Sequence, residues 1–437
     1  MPWQIYKPAL TILLLLVTAS TANQGASAVE RFQTLQASLR RSRDRQDWRS
    51  NVASARELKE FMNSSPGSLL ELARAEIRVG EMADAARNLR QFARMGQSSR
   101  LLETSTEFAP VRNLAGFSEI QRTMEANRSS IGLASTAFLL SDSRLLAEDL
   151  DYDPRAKQFL VTSVREKKII SIVNRVVRDF AQAPDDWPML AVKVDSRRGL
   201  VWATEVAMQG FVFAAESDWG RSAVLCYDAR NGTLLRRIEG PRGSALGDMT
   251  LTEDGDVIVS DGEGGGVYRV LPKNDVLERL DKGDFVSPQT PAMHPDGKSI
   301  FVPDYLRGIG LLDLASKRVQ WLSTENRFAL NGIDGLYFDR GRLIAVQNGT
   351  SPERVVAFTL NATLTGIESE KIIERSTPTI GDPTHGVMVD DGFYYIANSG
   401  WDIVDDQGNV KPGTEPSAPR VMRVSKELLL AKPRSRE

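Results

Sequence analysis

Two carboxylates, an amide and an imidazole, on Glu148, Asp334, Gln289 and His385, stand at the same place in successive copies of one repeat. Leu190 and Gly247 occupy that place in the other two copies, and Asp248 follows Gly247 directly. Carboxylates brought to one axis with carbonyl or imidazole groups suit a hard divalent cation such as calcium. The imidazole of His385 also suits zinc or manganese, and it can take a proton near neutral pH. The bland alternative for His385 is a hydrogen-bonded histidine that merely fills a channel. Trp401, in the loop Asn398-Ser-Gly-Trp401-Asp402, is placed to rim such a pocket, together with Trp219. The expected site is therefore Glu148, Gln289 and Asp334 around a metal, Asp334 and His385 as proton-transfer groups, and Asp248, His385 and Trp401 against the substrate.

The repeat that positions these residues is a strand, a turn and a second strand. Its clearest copy runs from Gln289 to Asp304, with Pro295-Asp-Gly297 at the reversal. Pro295 presets φ, and Gly297 can take the positive φ of a tight turn. Ser299-Ile-Phe-Val302 has the β-branched and aromatic composition of a half-buried strand. The first residues of the six copies are separated by 42, 57, 42, 45 and 51 positions. Multi-strand repeats of that period indicate propeller blades, here six. An irregular β-sandwich would not keep six copies in register. The last copy has room for three strands after His385, so Thr136–Leu140 is expected to supply its outer strand and close the ring, which removes exposed sheet edges.

Residues 29–130 read differently. The stretch from Glu30 to Arg49 contains no Gly or Pro and favours helix. Ser65-Pro66 is a helix start, and the apolar and small residues from Leu69 to Ala93, with Gly80 at the corner, form the pattern of a tetratricopeptide-like helix pair. Such a pair caps a neighbour or recruits a protein partner. The fold expected is a six-bladed β-propeller over 131–437 behind a small α-helical domain over 29–130.

Lys7 precedes the apolar run Ala9–Val17, which is too short to span a bilayer comfortably, and Ala26-Ser-Ala28 matches a signal-peptidase site. Residues 1–28 are expected to be a signal peptide, an uncleaved N-terminal anchor being the alternative. Export without disulfides suits a bacterial periplasm. With one cysteine, Cys226, the chain forms no internal disulfide and no cysteine-rich zinc site. Cys226 reads as a buried thiol in a strand, and His294 as an exposed turn residue. A balance of 55 Lys and Arg against 57 Asp and Glu argues against a nucleic-acid partner. Gly262-Glu-Gly-Gly-Gly266 has no following helix or lysine, so it is a blade loop and not a phosphate loop.

Asp334-Gly-Leu336, Ala147-Glu148 and the hairpin ending in Phe301-Val-Pro-Asp304 resemble the family of gluconolactonase, regucalcin (senescence marker protein) and luciferin-regenerating enzyme. The resemblance covers about 134–430. It implies a six-bladed propeller holding a divalent cation through a Glu, an Asn and an Asp at the inner-strand starts, with the Asp also acting as general base in lactone hydrolysis. Carried over by position, the Glu is Glu148 and the Asp is Asp334. The Asn position holds Gln289, one methylene longer, and a second Asn is replaced by Gly247. The function implied is an exported, calcium-type hydrolase of lactones or related esters acting on a small molecule. The competing reading is a non-catalytic propeller that binds a small ligand while its helical domain recruits a partner.

Overall fold

The computed structural model describes residues 25–271, 275–325 and 327–431. The apolar run Ala9–Val17, and with it most of the expected signal peptide, lies outside these residues. No described helix is long and apolar enough to cross a membrane.

The described residues begin with helices α1 (Ala28–Asp44), α2 (Trp48–Phe61), α3 (Pro66–Val79) and α4 (Met82–Arg94). The short helices α5 (Leu101–Thr104) and α6 (Ala109–Arg112) and then α7 (Phe117–Asn127) complete the segment. The expected pair is α3 and α4, with Pro66 in the first turn and Gly80 at φ +83° as the left-handed cap. The stretch Glu30–Arg49, expected to be helical throughout, is broken. Gln46 takes φ +54°, and the Asp47 carboxylate accepts from the Ser50 N–H at 3.2 Å to start a new helix. A polar side chain competing for the backbone broke the helix without Gly or Pro. At the other end of α1, Ser27 and Glu30 form a reciprocal capping box, and the Ala28 N–H donates to the Gly283 carbonyl at 2.8 Å.

Six antiparallel sheets follow. Two short strands, β1 (Ile131–Gly132) and β2 (Ser135–Leu139), leave the helices for the ring. Blade I is β3 (Ala147–Asp153), β4 (Gln158–Ser163), β5 (Lys168–Val173) and β6 (Val176–Gln182). Blade II is β7 (Met189–Asp195), β8 (Leu200–Ala207), β9 (Arg221–Asp228) and β10 (Leu234–Glu239). Blade III is β11 (Leu246–Leu251), β12 (Val257–Asp261), β13 (Val267–Val270) and β14 (Glu278–Arg279). Blade IV is β15 (Ala292–Met293), β16 (Ser299–Asp304), β17 (Gly308–Asp313) and β18 (Val319–Trp321). Blade V is β19 (Gly335–Asp339), β20 (Arg342–Gln347), β21 (Arg354–Leu360) and β22 (Ile367–Arg375). Blade VI has β23 (Gly386–Val389), β24 (Gly392–Asn398) and β25 (Arg420–Ser425). Its outer strand is β2, pairing Thr136 with Met422 and Leu139 with Arg420, which closes the ring as the repeat count required. Strand β1 adds a fifth strand to blade V, a pairing the repeat did not signal. The short helix α8 (Lys426–Leu430) follows β25.

Each inner strand packs against the inner strands of its neighbours around the ring. Acids on β3 fasten blade I to blade II. Asp149 accepts from the Val192 N–H at 2.9 Å and the Lys193 ammonium at 2.5 Å, and Asp151 accepts from the Val194 N–H at 2.6 Å. The blades bury Val, Ile and Leu between them, and Cys226 is buried in β9, where desolvation pushes its thiol up to about 11. His294, expected exposed, has a side chain only 12% accessible and lies over the Phe301 ring at 5.1 Å. The turn places the imidazole over the strand it introduces.

The helical segment sits on the face where the inner strands begin. Phe32, Phe61 and Met62 share an apolar cluster with Val286 and Leu306 of blade IV. Arg307 donates to the Phe61 carbonyl at 3.0 Å, and its guanidinium lies between the rings of Phe61 and Trp321, 4.3 and 4.4 Å from their centroids. The turn after α4 is tied to blade V. The Ser98 N–H donates to the Ser351 carbonyl at 2.6 Å, and the Ser351 N–H donates to Gln97 Oε1 at 3.1 Å.

Candidate functional site

The starts of the inner strands bring Glu148 from blade I, Asp334 from blade V and His385 from blade VI together. One ligand atom of each lies within 4.8 Å of the others. The three side chains are largely removed from water, with that of Glu148 12% and that of His385 3% accessible. The His385 Nε2 is 2.6 Å from Asp248 Oδ1, a bond that crosses from blade VI to blade III on the far side of the ring. Its Nδ1 lies 2.9 Å from the Glu148 carbonyl oxygen and 3.9 Å from Glu148 Oε1. With an acceptor on each ring nitrogen, both can be satisfied at once only by the doubly protonated ring.

The electrostatics agree. Burial by itself would lower the pKa of His385. The charge of Asp334, with the hydrogen bond and charge of Asp248, overrides it and holds the imidazole well above its ordinary value. Burial and the proximity of Asp334 push Glu148 up to about 8. The site thus concentrates buried negative charge with His385 as its internal counter-cation.

The remaining expected residues fall into two groups. Asp248 is held for His385 by the Thr290 hydroxyl at 2.6 Å, and the Trp401 indole N–H donates to Glu148 Oε2. Trp401 also packs on Phe211, with centroids 5.6 Å apart, beside Leu190. The Gln289 amide nitrogen donates to the Ser287 hydroxyl and carbonyl at 3.1 and 3.3 Å. Trp219 lies in the loop before β9, its indole nitrogen buried without a hydrogen-bond partner among the described residues.

Residues outside the expected set complete the site. Asn348 donates to Asp334 Oδ2 at 2.7 Å and accepts from the Tyr305 hydroxyl at 3.0 Å, so Tyr305, Asn348 and Asp334 form a chain from blade IV to the axis. Gly349 is required beside them, since a Cβ there would stand 2.6 Å from the Tyr305 hydroxyl oxygen. The Thr384 hydroxyl donates to the Glu148 carbonyl at 2.7 Å, and the Tyr337 hydroxyl accepts from the Gly386 N–H at 2.6 Å. The second strand of each copy ends on the same face as the first begins, so Asn348 occupies a repeat position as regular as that of Asp334. That register was the available signal for it. Asp304 and Asp261 stand at the equivalent ends but bind backbone N–H groups, of Leu306 and Gly264 in their own turns and of Val286 and Ala245 in the segments leading into the inner strands.

The donor set fits a divalent cation. Two buried carboxylates that repel one another, with an imidazole at coordinating distance, are a combination that a positive charge stabilises. Glu148 and Asp334 offer oxygens directly, whereas His385 would have to release Asp248 or the Glu148 carbonyl to coordinate.

No protein-family model matches the chain, and none of the curated proteins matches it. Among solved structures, a gluconolactonase from Xanthomonas campestris is similar at 15% identity, over 68% of this chain and 92% of that one, with a TM-score of 0.46. The calcium-binding protein regucalcin from Agrobacterium tumefaciens is similar at 13% identity, over 67% and 96%, with a TM-score of 0.47. The PQQ-bound aldose sugar dehydrogenase from Streptomyces coelicolor is similar at 14% identity, over 68% and 99%, with a TM-score of 0.46. Likeness of this size assigns none of their activities to this chain.

Proposed function

We propose that this protein is an exported, divalent-metal-dependent hydrolase of lactones or related esters. The observation that carries the proposal is the convergence of Glu148, Asp334 and His385, largely buried and within 4.8 Å, at the axial ends of three inner strands. Glu148 and Asp334 would hold the cation, which when bound supplies Lewis acidity at a carbonyl and a lowered pKa for a water. Calcium suits the two carboxylates, and zinc or manganese becomes the better match if His385 joins them. Gln289 would assist through its Oε1, the amide nitrogen being the atom held by Ser287.

The protein's own groups do the rest. Trp401 and Asn348 fix the orientation of Glu148 and Asp334. Asp248 and the Glu148 carbonyl hold the His385 ring, so that a proton on either nitrogen has a fixed direction. With the acids unneutralised, His385 is a proton donor. With those carboxylates neutralised by a cation, His385 would hold that proton less tightly and could serve as an acceptor, a role shared with Asp334. Leu190, Phe211 and Trp401 form an apolar side that excludes water from the acids.

The metal content of purified wild type and of the Glu148→Gln/Asp334→Asn double variant tests this first. Stoichiometric metal lost in the variant supports it. Equal hydrolysis of a lactone panel by wild type and Asp334→Ala would sink it. N-terminal sequencing of protein recovered from an exporting host tests export.

One observation favours a second reading. The bond between His385 and Asp248 spans the ring and satisfies both partners without any ligand, as a channel plug would. On that reading the propeller binds a small molecule without turnover. Metal-free, inactive protein that copurifies with a specific partner would select it.

A further inference from the structure

A cavity of about 490 Å³ lies between the helical segment and blades IV and V. This is the size of a small-molecule pocket. Its helical wall carries Phe92, Leu101, Arg100 and Arg128, and its propeller wall carries Tyr305 and Leu306. Apolar side chains come from both walls, and both arginines come from the helical one. Phe92 and Leu306 are buried apolar side chains. Arg100 is exposed at the rim. Arg128 is half-buried and held in place by the Ser98 hydroxyl at 2.8 Å and Glu103 at 2.9 Å, which immobilises the guanidinium while leaving part of its donor fork uncommitted. Tyr305, at the propeller wall, is the residue whose hydroxyl reaches Asn348 and through it Asp334.

We propose that this cavity binds an amphipathic organic anion, with its acid group at Arg100 and Arg128 and its apolar body between Phe92, Leu101 and Leu306. The helical segment is then a wall of a ligand site, and its role goes beyond capping the propeller or recruiting a partner. Apolar area drives entry, and two guanidinium groups at one end select an anion over its neutral isostere. The axial acids repel the same charge, so the ligand lies with its anionic end toward the helices and its other end toward Tyr305. The inference extends the hydrolase reading, to which it adds an acid-bearing substrate. The cavity and its arginines do not depend on that reading.

Octanoate and its neutral isostere octanamide are suitable probes, titrated calorimetrically into the full-length mature protein. Octanoate is expected to bind at least about tenfold more tightly than octanamide, the size of one charge-assisted contact. Arg100→Gln and Arg128→Gln are expected to bring octanoate down toward the octanamide level while leaving octanamide unchanged. Because Arg128 also anchors Ser98 and Glu103, the exposed Thr104 at the cavity rim supplies a variant less coupled to folding, Thr104→Trp, which is expected to block both probes. Asp334→Asn is expected to leave octanoate binding intact, so loss of metal or of hydrolysis in that variant does not affect the inference. Equal binding of the two probes, no binding, or unchanged octanoate affinity in Arg100→Gln and Thr104→Trp would overturn it. So would loss of octanoate binding in Asp334→Asn, which would place the anion at the axis.

Discussion

At the scale of single residues, the site is built from polar groups that burial makes expensive and that hold one another in place. Asp248 is the clearest example, because it holds the His385 ring through Nε2. Asp248→Asn removes the negative charge and leaves an amide facing an imidazole. On the hydrolase reading, lactone turnover is expected to fall by about 10²-fold with little change in KM, as for other groups that position an acid or base. Steady-state kinetics at saturating metal would check this. A second buried acid lies away from the axis. Glu205, with a fully buried side chain, is pushed up to about 8 chiefly by desolvation and lies 3.4 Å from the Arg237 Nε. Its folded pKa is above the ordinary 4.5, so the folded state holds the proton more tightly. The resulting stability is complete below about 4.5 and is lost as pH rises from there through 8, by up to about 5 kcal/mol. Denaturant unfolding from pH 5 to 9 is expected to show this decline in wild type and a flatter profile in Glu205→Gln.

At the scale of elements, the helical segment is fastened by a few specific contacts that sequence periodicity does not encode. Arg307 is the main one, since it bonds the Phe61 carbonyl and stacks between a helical and a propeller ring. Arg307→Ala is expected to cost about 2 kcal/mol through the lost bond and stacking. It is also expected to speed proteolysis in the connection between α2 and α3, and limited digestion followed by mass spectrometry would detect this. Arg354, fully buried on β21, packs within reach of Gly96, where a Cβ would stand 2.6 Å from its Nη1. Gly96 also has φ +79°, so the helix-to-blade turn requires glycine for both reasons.

At the scale of the whole molecule, ring closure decides whether six sheets behave as one. Strand β2 comes from the N-terminal side of the propeller and pairs with β25 from its C-terminal end. Blade VI therefore cannot be completed until the whole ring has been made. Thr136→Pro removes a backbone donor opposite Met422 and the hydroxyl that accepts from the Arg420 guanidinium at 3.0 Å. It is expected to lower stability by about 3 kcal/mol and to expose β25 as an edge, with earlier thermal unfolding and concentration-dependent aggregation. Calorimetry with light scattering would check both effects.

The sequence by itself determined the six-bladed ring, its closure by the segment after the helices, the α3–α4 pair with Gly80 at its corner, and the axial register of Glu148, Asp334 and His385. These are periodic features, and a repeat converts spacing along the chain into position around an axis. Only the tertiary structure decided what each axial group touches. Gln289 shares the register of Asp334, yet its longer side chain folds back to Ser287, because a local acceptor is within reach. Asn348 and Tyr305 enter the site, and Trp401 closes it, because loops from different blades meet above the channel. The break at Gln46 and Asp47 and the partial shielding of His294 by Phe301 are local, set by side chains of the same turn or hairpin. The cavity under Arg100 and Arg128 is not, since its walls come from segments far apart in the chain and exist only once the blades have closed and the helices have docked on them.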